Sequence, residues 1–323
     1  MFDENKQMFD IMGILGYHKA GYLGQGINIA AMDVDFKQDK RYGENVTHVI
    51  SNSSNLSSHG SSTVSVLNQI APQSNIYFIG TKGSSGFDWI LENDIHILNL
   101  SVLYGFKAET VAKYLRKIRN KGTIIICSAG NDREMEKLRY PGKSQNAVAV
   151  GAVYINPFTE QMELASYSSY TKGEQEQIKN QVEVCGFTNL RVVDLAEKEQ
   201  QRNYGGTSCA SPCVAAATAL AMQKYGFSGV SEFREWKKEN TIPIQDQGGY
   251  SLRKGYGLLT LPSTEINMWV DSKEYTVNGE KKEMDTAPLI QDDRVMVPIR
   301  FVSEALGCRV NWDGEERKVT ITK

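Results

Sequence analysis

The sequence is short of the features that would classify it at once. Its five cysteines, Cys127, Cys185, Cys209, Cys213 and Cys308, are odd in number and show neither a disulfide framework nor the paired C-x-x-C spacing of a zinc site. They read as reduced thiols, mostly in the core, and Cys209, on an Ala-rich stretch, reads as a packing residue. An excess of one charge is also missing: 36 Lys and Arg against 38 Asp and Glu leave a net −2. With no basic run either, nucleic acid and anionic membrane are not expected partners, whereas polypeptide substrates stay open. No stretch is long and apolar enough to span a bilayer, and Met1–Asp10 lacks the basic start and apolar run of a signal peptide. Membrane insertion and classical export are therefore not expected, and a cytoplasmic or phage-associated location, with release on lysis, fits better. Histidine is scarce too, with four in the chain and none after His96, so the search for a general base is short.

What is present is a regular alternation. Ile27–Met32, Ile76–Ile79, Ile95–Leu100, Thr123–Cys127 and Ala147–Val153 are short apolar runs, several separated by enough residues for a crossover helix. That pattern predicts an α/β fold with a mostly parallel sheet and helices on both faces. Apolar residues at Val111, Ala112, Leu115 and Ile118 predict a helix over 111–120. A longer one is predicted from about Thr207 to Tyr225, ended by Gly226. Near Leu261-Pro262-Ser263 the composition changes, giving a large domain over 1–262 and a small β-rich α+β domain over 263–323. In the latter, Asn278-Gly279 and Asp313-Gly314 signal hairpins, and Val297–Leu306 suits one short helix.

In open α/β sheets reactive groups gather beyond the carboxyl ends of strands. Asp33 stands there, after Ile29-Ala30-Ala31-Met32, where a carboxylate can orient a histidine or simply act as a turn residue or helix cap. His59, in Ser58-His59-Gly60, precedes an apolar helical stretch and is the candidate base. His18, His48 and His96 lack such a context. Ser208 follows the Gly205-Gly206 turn and opens a helix, whose N-terminal amides suit a developing oxyanion, although a helix cap is the plainer role.

The run Gly206-Thr207-Ser208-x-Ala210-Ser211-Pro212-x-Val214-Ala215 decides between these roles, because it resembles the nucleophile motif of the subtilisin family. The chain order Asp33, His59, Ser208 is that family's order. Ser128-Ala129-Gly130-Asn131 resembles its oxyanion segment, and the likeness covers about residues 10–262. The resemblance implies a serine endopeptidase with Asp33, His59 and Ser208 as the catalytic triad and Asn131 as an oxyanion donor. It also implies substrate contacts at Ser101, Val102 and Gly130, with no cofactor. The alternatives are a catalytically silent scaffold and an envelope-binding protein whose tail carries the function.

Three departures from the pattern stand out. Asp33-Val34-Asp35 places a second carboxylate two residues on, and Val102-Leu103-Tyr104 is bulky where the family is glycine-rich. The path from His59 to Ala71-Pro72 leaves no room for the calcium loop of secreted members, so no metal is expected there. The tail, through Arg294-Val295-Met296-Val297-Pro298-Ile299-Arg300 and Val310-Asn311-Trp312-Asp313, resembles the domain named after the N-terminus of copper amine oxidases. Copper is not expected, because the segment has no histidine and only Cys308 as a thiol. Self-association and envelope attachment are the roles open to it.

Overall fold

The computed structural model describes residues 1–323 apart from 37–41, 52–56, 81–82, 103–107, 134–137, 139, 172–180, 195–199, 246–248, 263, 265, 278–279, 307 and 323. The chain divides into two compact units, Met1–Leu261 and Pro262–Lys323. In the first, short helices α1 (Lys6–Ile11) and α2 (Ile14–Lys19) precede β1 (Asn28–Met32), β2 (Val46–Ile50) and α3 (Ser58–Ile70). Then come β3 (Asn75–Ile79), α4 (Ser84–Glu92), β4 (Ile97–Leu100), α5 (Ala108–Asn120), β5 (Ile124–Ser128), β6 (Val148–Ile155) and β7 (Met162–Leu164). The unit closes with β8 (Val182–Phe187), β9 (Leu190–Asp194), β10 (Gln200–Tyr204), α6 (Thr207–Tyr225), α7 (Gly229–Glu239), β11 (Thr241–Ile242) and β12 (Leu258–Leu259).

Ten of these strands form one sheet in the order β11-β12-β8-β6-β5-β4-β1-β3-β2, with β7 paired to β6. From β2 to β12 all neighbours on that path are parallel, as the unbroken apolar runs require when both faces are covered. The chain leaves β1 for β2 and β3 on one side and returns as β4 on the other. A crevice therefore opens at the carboxyl ends of β1 and β4, where ligands of open α/β sheets bind.

The helices seal both faces. Val111, Leu115 and Ile118 of α5 are buried at helical spacing beneath a charged outer face, each contributing about 1.5–3 kcal/mol. Helix α6 has no polar face: Cys209 to Met222 are all buried. Its small side chains let strands approach, so that a Cβ on Gly186 of β8 would lie 2.5 Å from the Ala210 carbonyl. Gly226 ends α6 in the left-handed conformation, its N–H on the Met222 carbonyl. Helix α3 is continuous from Ser58 to Ile70. All five cysteines are unpaired and four are buried; burial pushes the Cys185 and Cys213 thiols up to about 12.

The second unit is built of β13 (Ile266–Met268), β14 (Glu274–Val277), β15 (Glu280–Glu283), β16 (Leu289–Gln291), β17 (Arg294–Met296), α8 (Ile299–Ala305), β18 (Arg309–Asp313) and β19 (Lys318–Thr322). All its pairings are antiparallel. Asn278-Gly279 lies outside the described residues, between the paired Val277 and Glu280. The hairpin read at Asp313-Gly314 is present, and its loop is the four residues 314–317, with the Asp313 carboxylate accepting the N–H groups of Glu315 and Glu316. A further hairpin, β16–β17, turns on Asp292 and Asp293, both at positive φ. No glycine announces it, because Asp tolerates the left-handed region. No helix among the described residues is long and apolar enough to cross a membrane.

Two half-buried histidines make stability depend on pH. His48 packs against Phe36 and Phe78, with ring centroids 4.6 and 4.9 Å away. Burial lowers its pKa, and Asp35, 3.9 Å away, opposes this only in part. Burial likewise lowers the pKa of His18. Below the ordinary histidine value of about 6.5 the unfolded chain takes up these protons before the folded one, so stability present above that pH is lost as pH falls. Thermal melts at about pH 7.5 and 5.5 are expected to show a lower Tm at the acid value. The drop should be smaller in His48→Phe; an equal drop in that variant would contradict the assignment.

Candidate active site

The residues that follow β1, β4 and β5 converge on the crevice with the start of α3 and the start of α6. Asp33, just past β1, is buried, with 1 % of its surface exposed. Its Oδ1 accepts the Val34 N–H at 2.7 Å and the His59 Nδ1–H at 2.8 Å, and its Oδ2 accepts the Thr63 hydroxyl at 3.0 Å. His59 and Thr63 are four residues apart on α3, so one helical turn presents both to the same carboxylate. Ser57 caps that helix through the His59 N–H, at 3.2 Å. Since a carboxylate only accepts, the proton on the bonded side sits on Nδ1 and leaves the lone pair on Nε2. Asp35 is equally buried but has its own donors, the Phe36 N–H at 2.9 Å and the Ser51 hydroxyl at 2.7 Å.

Ser208 is the second residue of α6 and half-buried. Its hydroxyl donates to the Ser101 carbonyl at 2.9 Å, rather than to His59. Bonds between a nucleophile and its base are commonly loose in free enzymes. The Gly130-Asn131 segment is pinned by Thr207. Its N–H and hydroxyl both donate to the Asn131 side-chain oxygen, at 2.9 and 3.0 Å, and its hydroxyl oxygen accepts the Gly130 N–H at 3.1 Å. With the amide oxygen so held, Asn131 turns its NH₂ group toward Gly206, where a Cβ would lie 3.0 Å from the nitrogen. Gly206, at φ +80°, is the position that must lack a side chain. Val102 follows Ser101 and is half-buried, while Leu103 and Tyr104 lie outside the described residues. Among the described residues no group of three His, Cys, Asp or Glu is placed to hold a metal.

Three contributors were not singled out from the sequence. Thr63 is signalled only by its position one turn after His59, and Thr207 stands inside the serine motif without an evident role. Tyr204 is the least foreseeable. Its buried hydroxyl lies 3.0 Å from the Ser208 carbonyl, 3.0 Å from Thr63 Oγ1 and 3.3 Å from His59 Nε2. The reason lies four residues after the serine, where Pro212 stands inside α6 without an N–H for the Ser208 carbonyl. The phenol supplies the missing donor. Burial raises its pKa well above the usual phenol value, which keeps that proton in place.

A parallel sheet with an Asp–His pair beyond its carboxyl edge, beside a serine at a helix start, is the architecture of a serine peptidase of α/β type. The chain belongs to the subtilase family, whose model matches residues 24–257. The model of the copper amine oxidase N-terminal domain matches 254–321, so its first matched residues still lie in the larger unit. The minor extracellular protease Epr of Bacillus subtilis is 25 % identical over 272 residues, which cover 75 % of this chain but 39 % of that protein. Subtilisin Savinase of Lederbergia lenta is 24 % identical over 230 residues, 64 % of this chain and 80 % of that one. The chain thus spans well under half of Epr. Among solved structures, Sphericase superposes with a TM-score of 0.59 at 17 % identity, over 74 % of this chain and 92 % of its own. The prenylagaramide maturation protease PagA gives 0.61 at 18 %, over 77 % and 95 %.

The Tyr204–Pro212 complementarity is open to a double-mutant cycle. Tyr204→Phe leaves the Ser208 carbonyl without a donor and is expected to cost about 1–3 kcal/mol of unfolding free energy. In a Pro212→Ala background the restored N–H takes over, and the same change should cost less than about 1 kcal/mol. Equal losses in the two backgrounds, measured by denaturant unfolding, would refute the account.

Proposed function

We propose that the protein hydrolyses peptide bonds through an acyl-enzyme on Ser208. The observation that carries this reading is the 2.8 Å bond between Asp33 and His59 Nδ1, which fixes the tautomer a general base needs. His59 Nε2 takes the Ser208 proton, the oxygen attacks the peptide carbonyl, and Asp33 stabilises the imidazolium. The protonated ring then gives its proton to the leaving amine, and water releases the acyl group by the same path. The Asn131 NH₂ and the Ser208 N–H, an unpaired donor of the first turn of α6, are suited to hold the oxyanion. The carbonyl of Ser101, which accepts the serine hydroxyl in the resting site, is suited to take a substrate N–H when that hydroxyl turns to His59. Gly130 and Val102 flank the same path. Membership of a serine-peptidase family supports the reading.

A fluorophosphonate probe tests the nucleophile: wild type is expected to be labelled and Ser208→Ala not, whereas an unlabelled, folded wild type would favour a silent scaffold. Asn131→Ala should lower kcat about 100- to 1,000-fold and leave KM little changed, because the oxyanion forms only beyond the ground state. A large KM change at unaltered kcat would remove Asn131 from the oxyanion role.

A further inference from the structure

Lys237 is a fully buried cation, 1 % exposed, far from the chemistry described above. It lines a cavity of about 420 Å³, within the range of small-ligand sites. The cavity includes Ala147 and Gln181, which stand just before β6 and β8. Asp33, Ser101 and Asn131 stand just after β1, β4 and β5, so in a parallel sheet the cavity and the serine lie at opposite ends.

The charges around this cavity do not balance. The Lys237 ammonium lies 3.3 Å from Glu183 Oε2 and 4.5 Å from the centroid of the Tyr256 ring. That same carboxylate is already taken by Arg234, whose Nε and NH2 reach it at 3.0 and 2.6 Å. One carboxylate thus serves two cations, the buried Lys237 and the half-buried Arg234. Glu235 and Lys238 neutralise each other at 2.8 Å, and Arg119 adds one more positive charge to the lining. A buried charge without a full counter-charge is costly, and an ammonium has three donors to satisfy. The side-chain oxygen of Gln181, also in the lining, is buried without a partner. A ligand complementary to this lining brings negative charge and, for Gln181, a proton to donate. Monoprotonated phosphate carries both, and so does a phosphate monoester near its second pKa of about 6.

We propose that this cavity is a binding site for a phosphate-type oxyanion, held by Lys237 and Arg234 with Arg119 at its rim and Gln181 accepting the ligand's hydroxyl. Burial lowers the pKa of Lys237, and an anion beside it would oppose that effect.

The test is thermal unfolding of the full chain, with inorganic phosphate or glycerol phosphate set against chloride at matched ionic strength. Either phosphate species at saturation should raise Tm by about 2–4 °C above chloride. The larger shift at equal concentration tells free phosphate from the ester as the preferred ligand. The gain should vanish in Lys237→Met, which in chloride should melt no lower than wild type because it removes the unbalanced charge. Should that variant not fold, Arg119→Gln serves instead, and its gain should be reduced. Equal melting in phosphate and chloride would overturn the proposal, as would an undiminished gain in the folded variant. Fluorophosphonate labelling should stay unchanged in both variants.

Discussion

A single buried carboxylate governs the carboxyl edge of the sheet. Asp33 sits where water cannot solvate it, so its two oxygens must be met by protein donors. The backbone supplies one of these at Val34, and α3 supplies the other two from His59 and Thr63. Meeting that demand fixes the rotation of α3 about its axis and with it the plane of the imidazole. Tyr204 donates to the Ser208 carbonyl while its oxygen lies 3.0 Å from Thr63 Oγ1, so one buried phenol touches both the histidine helix and the serine helix. Orientation of the imidazole thus follows from the need to satisfy one enclosed charge.

The two polar centres of the larger unit contrast in this respect. At the crevice each acceptor of Asp33 has a donor, and Thr207 satisfies both Gly130 and Asn131. At the opposite end Glu183 is shared by Lys237 and Arg234. A network that is complete rigidifies its surroundings, whereas one left short by a charge has an affinity to express.

Much of this was legible in the sequence, and the limits have physical causes. The five apolar runs became β1, β3, β4, β5 and β6, since strands covered on both faces need no polar alternation. The helix read over Thr207–Tyr225 has those bounds, because Gly206 and Gly226 each take backbone conformations that end a helix. The glycine turn and the acid, base and serine were visible as motifs, and the structure brings them to one crevice. Strands β2 and β7 through β12 were missed: polar residues such as His48 and Glu183 interrupt some of them, and β11 and β12 are two residues long, too short to show a period. The role of Tyr204 was invisible because it depends on what Pro212 lacks, and a missing N–H leaves no mark in a motif. Asp292-Asp293 turned a hairpin that only glycine or asparagine would have advertised.

Helix α6 is enclosed around its whole circumference from Cys209 to Met222. A helix with a wet face can drift there without consequence, but one packed on all sides has no position at which a larger side chain finds room. Divergence in this chain is therefore expected to accumulate on the outer faces of α5 and α7 and in the loops. The serine-bearing helix should change slowest for reasons of space alone, even where chemistry asks nothing of a residue. Steric confinement of this kind would preserve a lineage's signature as a by-product of packing.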